Sequence, residues 1–222
     1  MAFAGGAMVF PGGRVDPGDH ALACTLGLDA PVGPAAIAAI RETIEEVGIA
    51  VGFAEPVGAM AVAQLRSRLA DGVPLAAALE EAGARLDVGA LTPLARWLPR
   101  SKETRVFDTF FFIARAPDGA EAHADGGECV LAHWTTATAM LADSNAGRRQ
   151  MLFPTRANLI RLAQFGCFDE ARADALAHPV EIISPAIEER DGLRTIRIPA
   201  GLGYPVTTLR LAAAGPKLPT RP

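Results

Sequence analysis

The segment Arg41-Glu42-Thr43-Ile44-Glu45-Glu46-Val47-Gly48 concentrates the residue types that could do chemistry. The pattern predicts a helix over 35–47, with Pro34 suited to its first turn and Gly48 to its stop. At about 100° per residue, Ile37, Ile40, Ile44 and Val47 share an arc about 80° wide, which is the buried stripe. Glu42, Glu45 and Glu46 share an arc about 100° wide on the other side. Glu42 and Glu46 form a like-charge i,i+4 pair, which costs a few tenths of a kcal/mol on an exposed helix. All three also sit late in the helix, where the macrodipole disfavours negative charge. A solvated face is the ordinary reading of a Glu cluster, but this one stands against two local preferences. Carboxylate oxygens converging in this way suit a hard divalent cation, Mg²⁺ or Mn²⁺. Upstream, Phe10-Pro11-Gly12-Gly13 bends the chain and frees backbone groups to face a ligand.

The elements that must position these residues read as mixed α and β. Residues 8–11 read as the end of a strand, followed by an irregular Gly-, Pro- and Asp-rich loop through His20 and an irregular segment over 20–33. Residues 49–53 read as a short strand, and 59–71 and 75–86 as two Ala- and Leu-rich helices. Strands are expected over 92–98, 105–114 and 128–134, and helices over 137–143, 155–165 and 168–177. The tail returns to strands at 180–184, 194–198 and 206–210, with turns at Asp191-Gly192 and Gly201–Gly203. The Phe-rich run 107–112 reads as core.

Composition narrows the partners. The 222 residues are 50% hydrophobic with a net charge of −4, an ordinary globular balance that excludes disorder over the whole chain. The 21 basic residues form no block against 25 acidic ones, which argues against nucleic acid. No apolar run reaches the ~18 residues of a membrane span. The three scattered cysteines have no zinc spacing, and the first residues do not read as a signal peptide, so the expected compartment is the cytoplasm.

Loop and helix together resemble the Nudix hydrolase superfamily. Its box runs G, five residues, E, seven residues, then R-E-U-x-E-E-x-G-U, with U apolar. Gly13 opens it here and Arg41-Glu42-Thr43-Ile44-Glu45-Glu46-Val47-Gly48-Ile49 closes it. Asp19 stands where the first Glu belongs, and 21 residues rather than seven separate it from Arg41. A box split at that point is similar to the branch of the peroxisomal coenzyme A diphosphatases. The later segments FDTFFFIA, ECVLAHW and MLFPTRANLIRLAQF fit too, so the resemblance covers roughly 8–170.

The resemblance implies a set of roles. Glu45 and Glu46 would hold the catalytic metal, with Glu42 a further ligand or the base that activates water. Arg41 would pair with these carboxylates and orient them, and a backbone carbonyl near Gly12 would complete the site. Glu128 would be a base or ligand, or else a solvated strand start after Gly126-Gly127. Asp19, a methylene shorter than Glu, is expected to stabilise the loop. The four histidines read as surface or satisfied residues. Arg14, Arg100, Lys102 and Arg105 either clamp phosphates or are solvated.

The implied architecture is an α/β Nudix α/β/α sandwich with a mixed sheet. It would occupy 1–178, with a helical insertion over about 59–86 and a β-rich extension over 179–222 packed on the same domain. Only eleven residues precede Gly12, so the N-terminal strands of that fold are expected to be missing. Either the start site is wrong, or a partner chain, as in a homodimer, or the C-terminal hairpin would fill the gap. The implied activity is Mg²⁺- or Mn²⁺-dependent hydrolysis of a diphosphate bond in a nucleoside diphosphate linked to another moiety, with coenzyme A or acyl-CoA favoured. The alternatives are an ADP-ribose or NADH pyrophosphatase and a catalytically silent binding module of the same fold.

Overall fold

The computed structural model describes residues 6–99, 107–127, 129–190 and 193–210. Four helices near the N-terminus pack into one apolar cluster. They are α1 (Pro17–Thr25), α2 (Val32–Val47), α3 (Ala59–Ala70) and α4 (Leu75–Ala82). Ile37, Ile40 and Ile44 of α2 are fully buried there, against Leu65 and Leu69 of α3, Leu75 and Leu79 of α4, and Ala23 of α1. The stripe read from the sequence is therefore the buried face. At about 25 cal/mol per Å² of apolar area, each fully buried Ile contributes about 1.5–3 kcal/mol.

Helix α1 replaces the irregular segment expected from 16 onward. Asp16 is its N-cap, Pro17 occupies its first turn, and the Asp19 carboxylate accepts the Asp16 N–H at 2.8 Å. Asp-Pro-Gly-Asp is thus a helix start rather than a turn, and the run through Thr25 follows it. Residues 49–53 form no strand. Only Phe53 makes an isolated bridge, to Leu86 beyond the C-terminus of α4.

The described strands form three small sheets in place of one mixed sheet. In the first, β1 (Ala7–Met8) lies parallel to β4 (Gln150–Met151). In the second, β2 (Thr92–Trp97) pairs antiparallel with β3 (Thr109–Ile113) and parallel with β5 (Ile182–Ile183), so this sheet is mixed. In the third, β6 (Ala186–Arg190), β7 (Leu193–Arg197) and β8 (Thr208–Arg210) form an antiparallel meander. Register slips between Pro93 and Ala95, because proline has no N–H for the ladder. Three further helices are found among the described residues: α5 (Ala137–Asn145), α6 (Phe153–Leu162) and α7 (Phe168–Ala177).

A second apolar cluster holds the sheet in place. Trp97 of β2 packs with Ala157 of α6, Ile183, Ile198, Leu202 and Tyr204. The Tyr204 hydroxyl accepts the Trp97 Nε1–H at 3.2 Å and donates to Asn158 Oδ1 at 2.6 Å. Residues beyond 180 therefore supply the floor of this core. The phenylalanines of β3 are half-buried, not sealed: Phe112 leans on the helical cluster, Phe111 on the Trp97 cluster, and Phe110 lies under Arg96. Residues 129–134 are not a strand. Val130, Leu131 and Trp134 are exposed, and the Trp134 Nε1–H donates to the Ala120 carbonyl. An apolar run without a partner strand has no ladder to join. No helix among the described residues is long and apolar enough to cross a membrane.

Candidate metal centre and active site

The site is assembled on the solvent side of α2. Its buried stripe fixes the rotation of the helix, which turns Glu42, Glu45 and Glu46 toward the loop at 10–16. Arg41 lies between the two and is nearly buried, its side chain 10% exposed. The guanidinium spends its donors on both sides. Nε and Nη2 donate to the two Asp19 carboxylate oxygens at 3.1 and 3.0 Å. Nη2 also donates to the Arg14 carbonyl at 2.8 Å, and Nη1 reaches Glu42 at 2.9 Å and Glu45 at 3.0 Å. Asp19, 2% exposed, thus braces Arg41 from below and closes the start of α1 with the same carboxylate.

The Gly12-Gly13 loop rests directly on the carboxylates. The Gly12 N–H donates to Glu46 Oε2 at 3.0 Å. Gly13 comes so close to Glu42 that a Cβ built there would stand 2.0 Å from its Oε1. Glycine at 13 is required by this approach rather than by a special φ. The obstacle is the end of a flexible side chain, so Gly13→Ala is expected to leave the melting temperature within a few degrees while swinging Glu42 away. Turnover measured alongside thermal unfolding checks this; equal loss of both would place the role of Gly13 in folding.

Charge is unbalanced here. Asp16, Asp19, Glu42 and Glu45 surround one guanidinium, and Glu46 adds to them. Burial pushes the Glu42 carboxyl up to about 7, against the opposing pull of Arg41 and with help from Glu45 and Glu46. Burial also raises Glu45, again opposed by Arg41. For Arg41, burial lowers the pKa, but the hydrogen bond to Asp19 and the charges of Glu42, Asp19 and Glu45 outweigh it and hold the group above its ordinary value.

These shifts carry a pH dependence. A carboxyl with a higher pKa in the folded state holds its proton more firmly there. Its stabilisation is complete below the ordinary carboxylate range and is lost as pH rises through about 7. The metal-free protein is therefore expected to melt at a lower temperature at about pH 8 than at about pH 5.5, with Glu42→Gln flattening the difference. Thermal scans in chelator across that range measure it.

As the side chains stand, Arg41 bridges Glu42 and Glu45 while Glu46 turns to Gly12. Among the described residues no three acidic, His or Cys side chains converge on one point. The donor set still fits a hard divalent cation: carboxylate oxygens in negative excess, at sites where burial already penalises uncompensated charge. Glu128 lies outside the described residues. Arg14 is brought to the site through its backbone carbonyl, while Arg100, Lys102 and Arg105 lie outside the described residues. The exposed His123 side chain stands beside Glu121, and His178 contacts Asp174.

Sequence reasoning missed one side chain. Arg66 of α3 reaches the end of α2, where Nε donates to the Glu45 carbonyl at 2.8 Å and Nη2 to the Glu46 carbonyl at 3.0 Å. Its only signal is its position directly after Leu65, a core residue of α3.

No family model matches the chain, and no curated protein does. Among solved structures, the crystal structure of a Nudix hydrolase from Alicyclobacillus acidocaldarius is similar, with 29% sequence identity and a TM-score of 0.66. The similarity spans 78% of this chain and 83% of that one. The fold is Nudix-like. The similarity supports a place in the Nudix superfamily, and with it a hydrolase of diphosphates acting on a small-molecule substrate. Nudix enzymes typically use a divalent metal, which agrees with the oxygen donors gathered on α2.

Proposed function

We propose that this chain hydrolyses a diphosphate bond in a nucleoside diphosphate linked to another moiety, with coenzyme A or an acyl-CoA as the preferred substrate class. One observation carries the reading: α2 presents Glu42, Glu45 and Glu46 to a glycine loop that touches two of them, with Arg41 braced by Asp19 between. Glu45, Glu46 and Glu42, with a backbone carbonyl near Gly12, would hold Mg²⁺ or Mn²⁺. When bound, the cation supplies neutralisation of the diphosphate oxygens and acidification of a water. Arg41 keeps the carboxylates oriented. Glu42 or Glu128 takes the proton from the attacking water. The favoured substrate rests on the split box, and its products would be 3′,5′-ADP and a phosphopantetheine.

The test is incubation with Mg²⁺ and a panel of coenzyme A, acetyl-CoA, ADP-ribose, NADH and dinucleoside polyphosphates, with products resolved by chromatography. Cleavage of the coenzyme A diphosphate at the highest kcat/KM is the expected result. Preference for ADP-ribose or NADH would move the substrate to that class. Failure to cleave any of them would favour a silent binding module.

A further inference from the structure

We infer that Arg66 is a positioning residue that ties the end of the carboxylate helix α2 to the backbone of the loop at His123 and so holds the candidate ligands Glu45 and Glu46 in place. The inference rests on the metal-dependent reading above and deepens it.

A helix end leaves four carbonyls without intrahelical donors. In α2 each of them has a named donor. The Ile44 carbonyl accepts from Gly48 N–H at 3.0 Å, and the Val47 carbonyl accepts from His123 N–H at 3.0 Å. The two between them, on Glu45 and Glu46, are taken by Arg66. These are the backbones of two of the three candidate ligands. Their peptide planes are thereby fixed, and with them the directions in which the carboxylates leave the helix.

The same guanidinium reaches the loop. Arg66 Nη2 donates to the His123 carbonyl at 2.8 Å. His123 is therefore pinned on both faces of its backbone, five residues before Glu128 in sequence. One cation joins the end of α2 to the loop at His123. Arg66 can do this because its neighbours are anchored: Leu65 is fully buried and Leu69 nearly so, which fixes the rotation of α3. Gly48 makes room for it. With φ 68° at that position, a Cβ would press on Arg66 Nη1 at 3.3 Å.

The electrostatics favour the same role. The C-terminus of α2 carries the negative end of the helix dipole beside three carboxylates, and a guanidinium there offsets both. Hydrogen bonds from a charged donor are roughly twice as strong as neutral ones. A lysine supplies a single point of charge and cannot hold three carbonyls in a fixed fork.

The test uses the full chain as wild type, Arg66→Ala, Arg66→Lys and Arg68→Ala. Arg68 lies two residues on and pairs with Glu81 at the surface, so it controls for loss of an arginine from α3. Mn²⁺ affinity is read from the free-ion EPR signal, and exchange of the His123 amide by NMR in the metal-free protein. Arg66→Ala is expected to weaken Mn²⁺ binding by about 10–100-fold, the usual effect of removing a group that orients metal ligands. It should also speed His123 exchange by about tenfold or more, since opening of the loop loses its charged anchor. Arg66→Lys should recover part of both losses, and Arg68→Ala should change neither. Unchanged Mn²⁺ affinity and exchange in Arg66→Ala would overturn the inference, as would equal effects from Arg68→Ala. If Arg66→Ala fails to fold, Arg66→Lys carries the comparison. A wild type that binds no Mn²⁺ would sink the metal-dependent reading and the coupling role with it.

Discussion

Glu45→Gln is expected to remove Mg²⁺-dependent turnover and leave the fold standing. The change keeps the shape of the side chain and its contact with Arg41 Nη1, since an amide oxygen still accepts a hydrogen bond. What it removes is one negative charge from the donor set. A lost metal ligand is worth several kcal/mol of transition-state stabilisation, so turnover should fall by about a thousandfold, or ~4 kcal/mol. The melting temperature should hold or rise, because burial already raises the Glu45 pKa and makes its charge costly. Steady-state kinetics with a calorimetric scan separate the two effects. Turnover retained at wild-type level in Glu45→Gln would remove Glu45 from the metal site.

Arg41→Ala should act on folding as much as on chemistry. It strands Asp19, 2% exposed, without its cation, and removes the donors that Glu42, Glu45 and the Arg14 carbonyl share. Truncating one partner of a buried ion pair costs about 3–5 kcal/mol because the other charge is left uncompensated. Against a typical total of about 5–15 kcal/mol, that is a large fraction. Urea unfolding should show a lower midpoint with an unchanged slope. The double variant Arg41→Met/Asp19→Leu should recover much of the midpoint. It would not recover all of it, since Asp19 also accepts the Asp16 N–H at the start of α1. Activity should stay lost in the double variant, because Glu42 and Glu45 no longer have a brace. A midpoint for Arg41→Ala equal to that of the wild type would show that Asp19 does not depend on this pair.

Helix α2 was legible because two signals coincide there. A strict apolar stripe set its phase, and Gly48 set its end, so the expected 35–47 and the observed Val32–Val47 differ only at the first turn. The expected helices 59–71 and 168–177 likewise match the observed Ala59–Ala70 and Phe168–Ala177 to within a residue. The start of α1 was not legible, although Asp16, Pro17 and Asp19 form a helix entry, because the same letters also spell a turn. The segment 129–134 failed differently. Its apolar letters suggested a strand, but strands exist only where a partner ladder does, and pairing is not written locally. Strand β6 was missed because Glu188, Glu189 and Arg190 hide its alternation, and it is held by pairing with β7. That Glu42, Glu45 and Glu46 share the face of α2 turned to the glycine loop was legible from spacing. The brace on Arg41 and the reach of Arg66 depend on contacts 22 and 21 residues away in sequence, which no local pattern records.

The placement of Tyr204 has a consequence for the order of synthesis. The carboxylates, their brace and the glycine loop all lie within residues 12–46, and the helices that bury α2 are complete by 82. The ribosome therefore releases the proposed metal-binding face early. The floor under β2 comes much later, since Trp97 waits for Ile183, Ile198 and Tyr204, more than eighty residues downstream. During that interval Trp97 and Asn158 have no partner in Tyr204, and β5, the neighbour of β2 on the side away from β3, has not been made. The growing chain thus exposes an aromatic, half-built sheet behind a finished helical cluster, and this is the surface on which a nascent-chain chaperone would act.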